Sequence, residues 1–134
     1  MNPHTVARAI LANAQKHFAD YKNVQILNGT SEDIFPTLIP SLSGTVNFWL
    51  DGHYSAGKTF QGKRDTPILE ELQAIGKNIQ NFQRICVLID DIRCFDPSIE
   101  QYKSYPSVET LIDWAKKFKL HWHIEHDMFV AKTN

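Results

Sequence analysis

Three acids stand where buried strands would end. Asp51 follows the apolar run Thr45-Val46-Asn47-Phe48-Trp49-Leu50, and the pair Asp90-Asp91 follows Arg84-Ile85-Cys86-Val87-Leu88-Ile89. Adjacent parallel strands lie about 4.8 Å apart, so carboxylates leaving their ends can share one hard cation. Ligation by oxygen alone suits magnesium, calcium or manganese. In open α/β sheets ligands gather outside the carboxyl ends of the strands, the rim these acids would occupy. His53 comes two residues after Asp51, and an imidazole with an ordinary pKa of about 6.5 suits proton removal near neutral pH. The same acids have a plain structural use as well: each can cap its loop or pair with Arg93.

The segment after Asp51 carries a second chemistry. Gly52-His53-Tyr54-Ser55-Ala56-Gly57-Lys58-Thr59 satisfies the spacing of a phosphate-binding P-loop. That chemistry needs a helix to start at Lys58-Thr59, so that its first amides complete the phosphate cradle. Gly62 follows at once, and Thr66-Pro67 signals a helix start seven residues later. A nucleotide-binding loop is therefore the weaker reading. His121, His123 and His126 lack the carboxylate or cysteine that would complete a zinc site, and read as a solvated strand face.

The elements that must position these residues follow from periodicity. Val6, Ile10, Leu11, Ala14 and Phe18 recur at helical spacing behind Asn2-Pro3, predicting a helix over residues 3 to 20. Asn23-Val24-Gln25-Ile26-Leu27 reads as a short strand closed by Asn28-Gly29, and Ser31-Glu32-Asp33 opens a short helix with acid at its positive end. The runs ending in Asp51 and Asp90 read as strands covered on both faces. Between them Thr66 caps a helix with Pro67 at its first position and Ile68, Leu69, Leu72 and Ile75 on one side. Ser107 caps a last helix bearing Val108, Leu111, Ile112, Ala115 and Phe118. Leu120, Trp122 and Ile124 then alternate with polar residues before Asp127 turns the chain into Met128-Phe129-Val130-Ala131. Alternation of helix and strand predicts a mostly parallel sheet with helices on both faces.

Composition sets the outer limits. The 134 residues carry 14 Lys plus Arg against 15 Asp plus Glu and are 43% hydrophobic, which describes a single domain over residues 1–134 with a core of its own. A formal charge of -1 supplies no field that would draw in nucleic acid or an anionic membrane. Two cysteines make no disulfide framework, which fits a cytoplasmic setting, and no apolar stretch approaches the roughly 20 residues of a membrane helix.

Taken together, Phe48-Trp49-Leu50-Asp51-Gly52-His53-Tyr54, Asp65-Thr66-Pro67-Ile68-Leu69-Glu70-Glu71-Leu72 and Val87-Leu88-Ile89-Asp90-Asp91 resemble class I S-adenosylmethionine-dependent methyltransferases. The likeness is to the metal-dependent sugar O-methyltransferases of the macrocin O-methyltransferase type. It implies a Rossmann-like fold, methyl transfer from S-adenosylmethionine to the hydroxyl of a small molecule or sugar, and a magnesium ion. By position it maps the metal onto Asp51, Asp90 and Asp91, and catalysis onto Asp51 and His53, where the family carries an acid in place of His53. Cofactor contacts map onto Gly29, Thr30, Ser31, Asp51, Gly52 and His53.

The resemblance begins only after the family's second strand, so the chain is expected to be a truncated methyltransferase domain. The expected fold lacks the first two strands and keeps a mostly parallel sheet of about five strands with a C-terminal antiparallel pair. No GxG pair occurs among the six glycines, so the usual close approach of backbone to a nucleoside is missing. This leaves two readings, an impaired methyltransferase and a catalytically silent binding or assembly module. Loss of two strands would also expose the edge of the strand at residues 46–50. Residues 24–27 are expected to slide in beside it, with edge-to-edge pairing of two chains as a homodimer the second route.

Overall fold

A computed structural model of the chain describes residues 3–52 and 66–134. Its helices are α1 (Pro3–His17), α2 (Ser31–Leu38), α3 (Ile68–Lys77) and α4 (Val108–Lys117). Its strands are β1 (Gly44–Leu50), β2 (Phe82–Ile89), β3 (His121–Glu125) and β4 (Met128–Lys132).

The four strands form one sheet in the order β1-β2-β4-β3. β1 and β2 run parallel, with Phe48 beside Val87 and Leu50 beside Ile89, whereas β4 is antiparallel to both β2 and β3. The expected mostly parallel, five-stranded Rossmann-like sheet is thereby overturned: the sheet is mixed, with one parallel pair. Two physical causes account for the difference. His126 and Asp127 both adopt positive φ, 48° and 61°, the two-residue turn that sends a strand straight back, so the C-terminal hairpin inserts β4 against β2 in reverse. Residues 24–27 form no strand, and Val24 and Leu27 stay exposed. Their β-branched content suits a strand, yet a strand holds only when a neighbour pairs with it and a face is buried.

One face of the sheet carries the core. Phe48 and Leu50 of β1, Ile85, Val87 and Ile89 of β2, and Phe129 and Ala131 of β4 pack with Ile68, Leu72 and Ile75 of α3 and Leu111 and Ala115 of α4. Each fully buried large side chain of this kind contributes about 1.5–3 kcal/mol. The Trp114 indole N–H donates to the Leu72 carbonyl at 3.1 Å, fixing α4 against α3. The Ser107 hydroxyl accepts the Thr110 N–H at 3.4 Å, the expected cap of α4. The start of α3 differs by one residue from its expected position: Pro67 is the cap residue, and the Thr66 hydroxyl accepts the Ile68 N–H while donating to the Gly52 carbonyl, both at 3.4 Å. This ties the exit of β1 to the entry of α3.

The opposite face is open along β1, where the sequence predicted cover on both sides, although Val130 of β4 is buried on it. Thr45, Asn47 and Trp49 of β1 are exposed, Trp49 by 58%, and among the described side chains none of α1 belongs to the core. Among the described residues, no helix is long and apolar enough to cross a membrane.

Candidate functional site

The parallel pair delivers the acids to one rim. Leu50 lies beside Ile89, and the Asp90 N–H donates to the Leu50 carbonyl at 3.0 Å, so the ladder reaches one residue past β2 and Asp51 and Asp90 leave side by side. Asp91 takes a left-handed conformation, φ 56° and ψ 47°, which Asp tolerates better than most residues. Its N–H donates to Asp90 Oδ1 at 2.8 Å and folds the pair back on itself. One carboxylate oxygen from each of Asp51, Asp90 and Asp91 then lies within 4.8 Å of the other two, with Asp51 exposed and the pair half-buried.

A cation already borders this cluster. Arg93 forms an ion pair with Asp91 at 2.6 Å and a second with Asp127 in the β3–β4 turn. Hydrogen bonds to Asp91 and then Asp127 push the guanidinium even further into its charged range. The turn is docked by backbone as well: the Ile92 N–H donates to the Asp127 carbonyl at 2.9 Å and the Arg93 N–H to Asp127 Oδ1 at 3.0 Å. Arg93 is thus the structural partner foreseen for the acids, and it engages Asp91.

Beside the acids sits a residue that sequence reasoning missed. Glu71 is only 3% exposed and accepts a 2.5 Å hydrogen bond from the Ser31 hydroxyl. Burial pushes its carboxyl up to about 7, the Ser31 bond opposes that rise, and Glu32 and Glu70 add to it. A small hollow of about 10 Å³ lies between Glu71, Gly52, Thr66, Asp90 and Tyr105, space for one water molecule. A signal for Glu71 was present: it falls three residues after Ile68 and four before Ile75, on the apolar stripe of α3. A carboxyl that titrates near neutrality beside other acids is a functional candidate.

The structure brings some expected site residues together and leaves others apart. Asp51, Asp90 and Asp91 converge, and Ser31 meets Gly52 through Glu71, whose Oε1 would lie 3.5 Å from a Cβ at Gly52. Gly29 and Thr30 serve α2 itself: a Cβ at Gly29 would strike Ile34 at 2.9 Å, and the Thr30 hydroxyl donates to Asp33 at 3.0 Å. His53 and most of the segment 52–59 lie outside the described residues. A larger hollow of about 300 Å³, lined by Asn47, Arg84, Cys86, His121 and Lys132, opens at the far end of the strands from the acids.

The donor set suits a hard divalent cation, being all oxygen, mutually close and at the rim expected of an α/β sheet. The described residues do not suit S-adenosylmethionine in the same way. Ile34 occupies the space at Gly29, Ser31 is committed to Glu71, and the hollow beside Gly52 is far smaller than a nucleoside. No family model matches the chain, and neither a curated protein nor a solved structure matches it.

Proposed function

We propose that this chain is a divalent-cation-binding domain whose acidic rim serves the hydroxyl group of a small molecule or sugar, the oxygen chemistry of a metal-dependent O-methyltransferase. The observation that carries the reading is the approach of Asp51, Asp90 and Asp91 oxygens to within 4.8 Å of one another at adjacent strand ends. When bound, a magnesium ion lowers the pKa of a coordinated hydroxyl and orients it.

The chain's own residues do the rest. The Asp91 N–H holds the Asp90 carboxylate in place, and Arg93 neutralises part of the cluster's charge while contending with an incoming ion for Asp91. Glu71, half ionised near pH 7, lies next to the rim as a group able to take up a proton. The methyl donor finds no cradle among the described residues, which favours a cation-binding module over a self-sufficient methyltransferase.

Isothermal titration with magnesium, S-adenosylmethionine and ATP, separately and together, tests the reading. Magnesium alone is expected to give saturable heat. Asp90→Asn should weaken it by roughly tenfold or more while the circular-dichroism melt stays that of the parent. Equal magnesium binding by parent and variant would overturn the proposal. Heat from S-adenosylmethionine alone would return methyl transfer to this chain, and heat from ATP would point to the loop at 52–59.

A further inference from the structure

We propose that the outer edge of β1 is the contact between two copies of this chain, paired antiparallel about a two-fold axis at Asn47. The inference is independent of the cation reading and rests on the backbone of β1.

The Leu50 carbonyl points to β2, where it accepts the Asp90 N–H. Backbone groups alternate between the two edges of a strand, so Val46, Phe48 and Leu50 serve β2, while the N–H and C=O groups of Thr45, Asn47 and Trp49 face outward. Among the described residues β1 ends the sheet, and none of these three makes a backbone hydrogen bond on that side.

Such an edge is normally blunted by Lys, Pro, a bulge or shortness. β1 has none of these past its first residue: the irregularity lies between Gly44 and Thr45, and the run Thr-Val-Asn-Phe-Trp-Leu carries no charge and no proline. It is also rich in residues that favour strands.

The register argues for a second copy over any other occupant. Asn47 is the central residue of the seven in β1. An antiparallel pair centred there sets Asn47 against Asn47 of the second copy and Thr45 against its Trp49, and every outward N–H and C=O finds a partner. On the core side Val46 meets Phe48 of the second copy. The two off-axis pairs nearest the axis, one on each face, thus match a β-branched residue with an aromatic one, a favourable cross-strand combination, while Gly44 meets Leu50 at the ends. Moving the axis toward Leu50 would bring the exposed Asp51 carboxylate into the paired region. The centred register instead keeps the two acidic rims about 27 Å apart, eight residues at roughly 3.4 Å each, well beyond the screening length at physiological salt. The product is a continuous eight-stranded sheet with both Trp49 side chains on its open face.

Sedimentation equilibrium of the full chain at tens of micromolar tests this, with twice the chain mass expected. Asn47→Lys places like charges across the axis at an exposed position and should give a folded monomer. Asn47→Pro, which removes an outward N–H, should do the same and serves if the first variant fails to fold. In a Cys86→Ser background, Asn47→Cys should oxidise to an intermolecular disulfide, since directly opposed residues of this type stand about 5.5 Å apart at Cα. A monomeric parent overturns the proposal. So does a dimer that survives both substitutions, or one in which the introduced thiols do not couple.

Discussion

The Ser31 hydroxyl donates a 2.5 Å hydrogen bond to Glu71 Oε1, joining the first residue of α2 to a carboxyl on the buried stripe of α3. The contact holds the segment around Gly29, Thr30 and Ser31 against the exit of β1, because Gly52 lies beside the same carboxyl. It also places an ionisable group where water is scarce, and that has a consequence for stability.

Glu71 is held at about 7 in the fold against an ordinary value of 4.5, chiefly by burial. Below about pH 4.5 the group is protonated in both states and its contribution to stability is fully present. Between 4.5 and 7 the unfolded chain ionises while the fold resists, so stability falls as pH rises and levels off above 7. At about 1.4 kcal/mol per pKa unit the total loss is about 3 kcal/mol. Glu71→Gln keeps an oxygen to accept the Ser31 proton and removes the titration. Urea midpoints at pH 4, 6 and 8 should show the variant near the parent at pH 4 and more stable than it by up to about 3 kcal/mol at pH 8. An unchanged pH slope in the variant would place the titration elsewhere.

Much of this arrangement could be read from residue order, and the failures have physical causes. The stripes of α3 and α4, the apolar runs of β1 and β2 and the turn at Asp127 all declare themselves through spacing, because periodicity records which face is buried. The convergence of Asp51 with Asp90 and Asp91 followed from two such runs both ending in acid. Residues 24–27 misled because local composition says nothing about whether a neighbouring strand exists. The position of β4 between β2 and β3 depends on which hairpin strand docks, a tertiary choice. The Arg93–Asp127 ion pair joins residues 34 apart, and nothing local announces it.

Arg93 competes with any cation for Asp91. Its guanidinium lies 2.6 Å from Asp91 Oδ1, so a metal drawing on that carboxylate must share it or displace the side chain. Arg93→Ala leaves the acidic rim one positive charge poorer, and the attraction of the cluster for magnesium should rise by up to about thirtyfold, as expected for removing a unit charge about 4 Å from a divalent ion in water. Magnesium titration of parent and variant at low salt reads the change, and raising the salt should shrink it. Weaker binding in the variant would show that Arg93 organises Asp91 for the ion rather than contending with it.

The approach of α3 to α4 sets the last expectation, and two opposing effects decide its sign. Gly76 lies in the last turn of α3, where replacement by Ala ordinarily gains about 1 kcal/mol of helix stability. Here a Cβ would stand 2.7 Å from Phe118 Cζ and 3.4 Å from Trp114 Nε1. The Phe118 ring packs on Trp114 with centroids 5.4 Å apart, and the Trp114 N–H is engaged by the Leu72 carbonyl. The ring therefore cannot retreat without disturbing the bond that fixes the two helices. Overpacking of this kind costs about 1–3 kcal/mol, which exceeds the helical gain. Gly76→Ala should lower the urea midpoint by a net loss of up to about 2 kcal/mol, and the loss should shrink when Phe118→Leu is added, because the shorter side chain vacates the contested space. A single variant more stable than the parent would show instead that Phe118 swings clear of α3 at little cost.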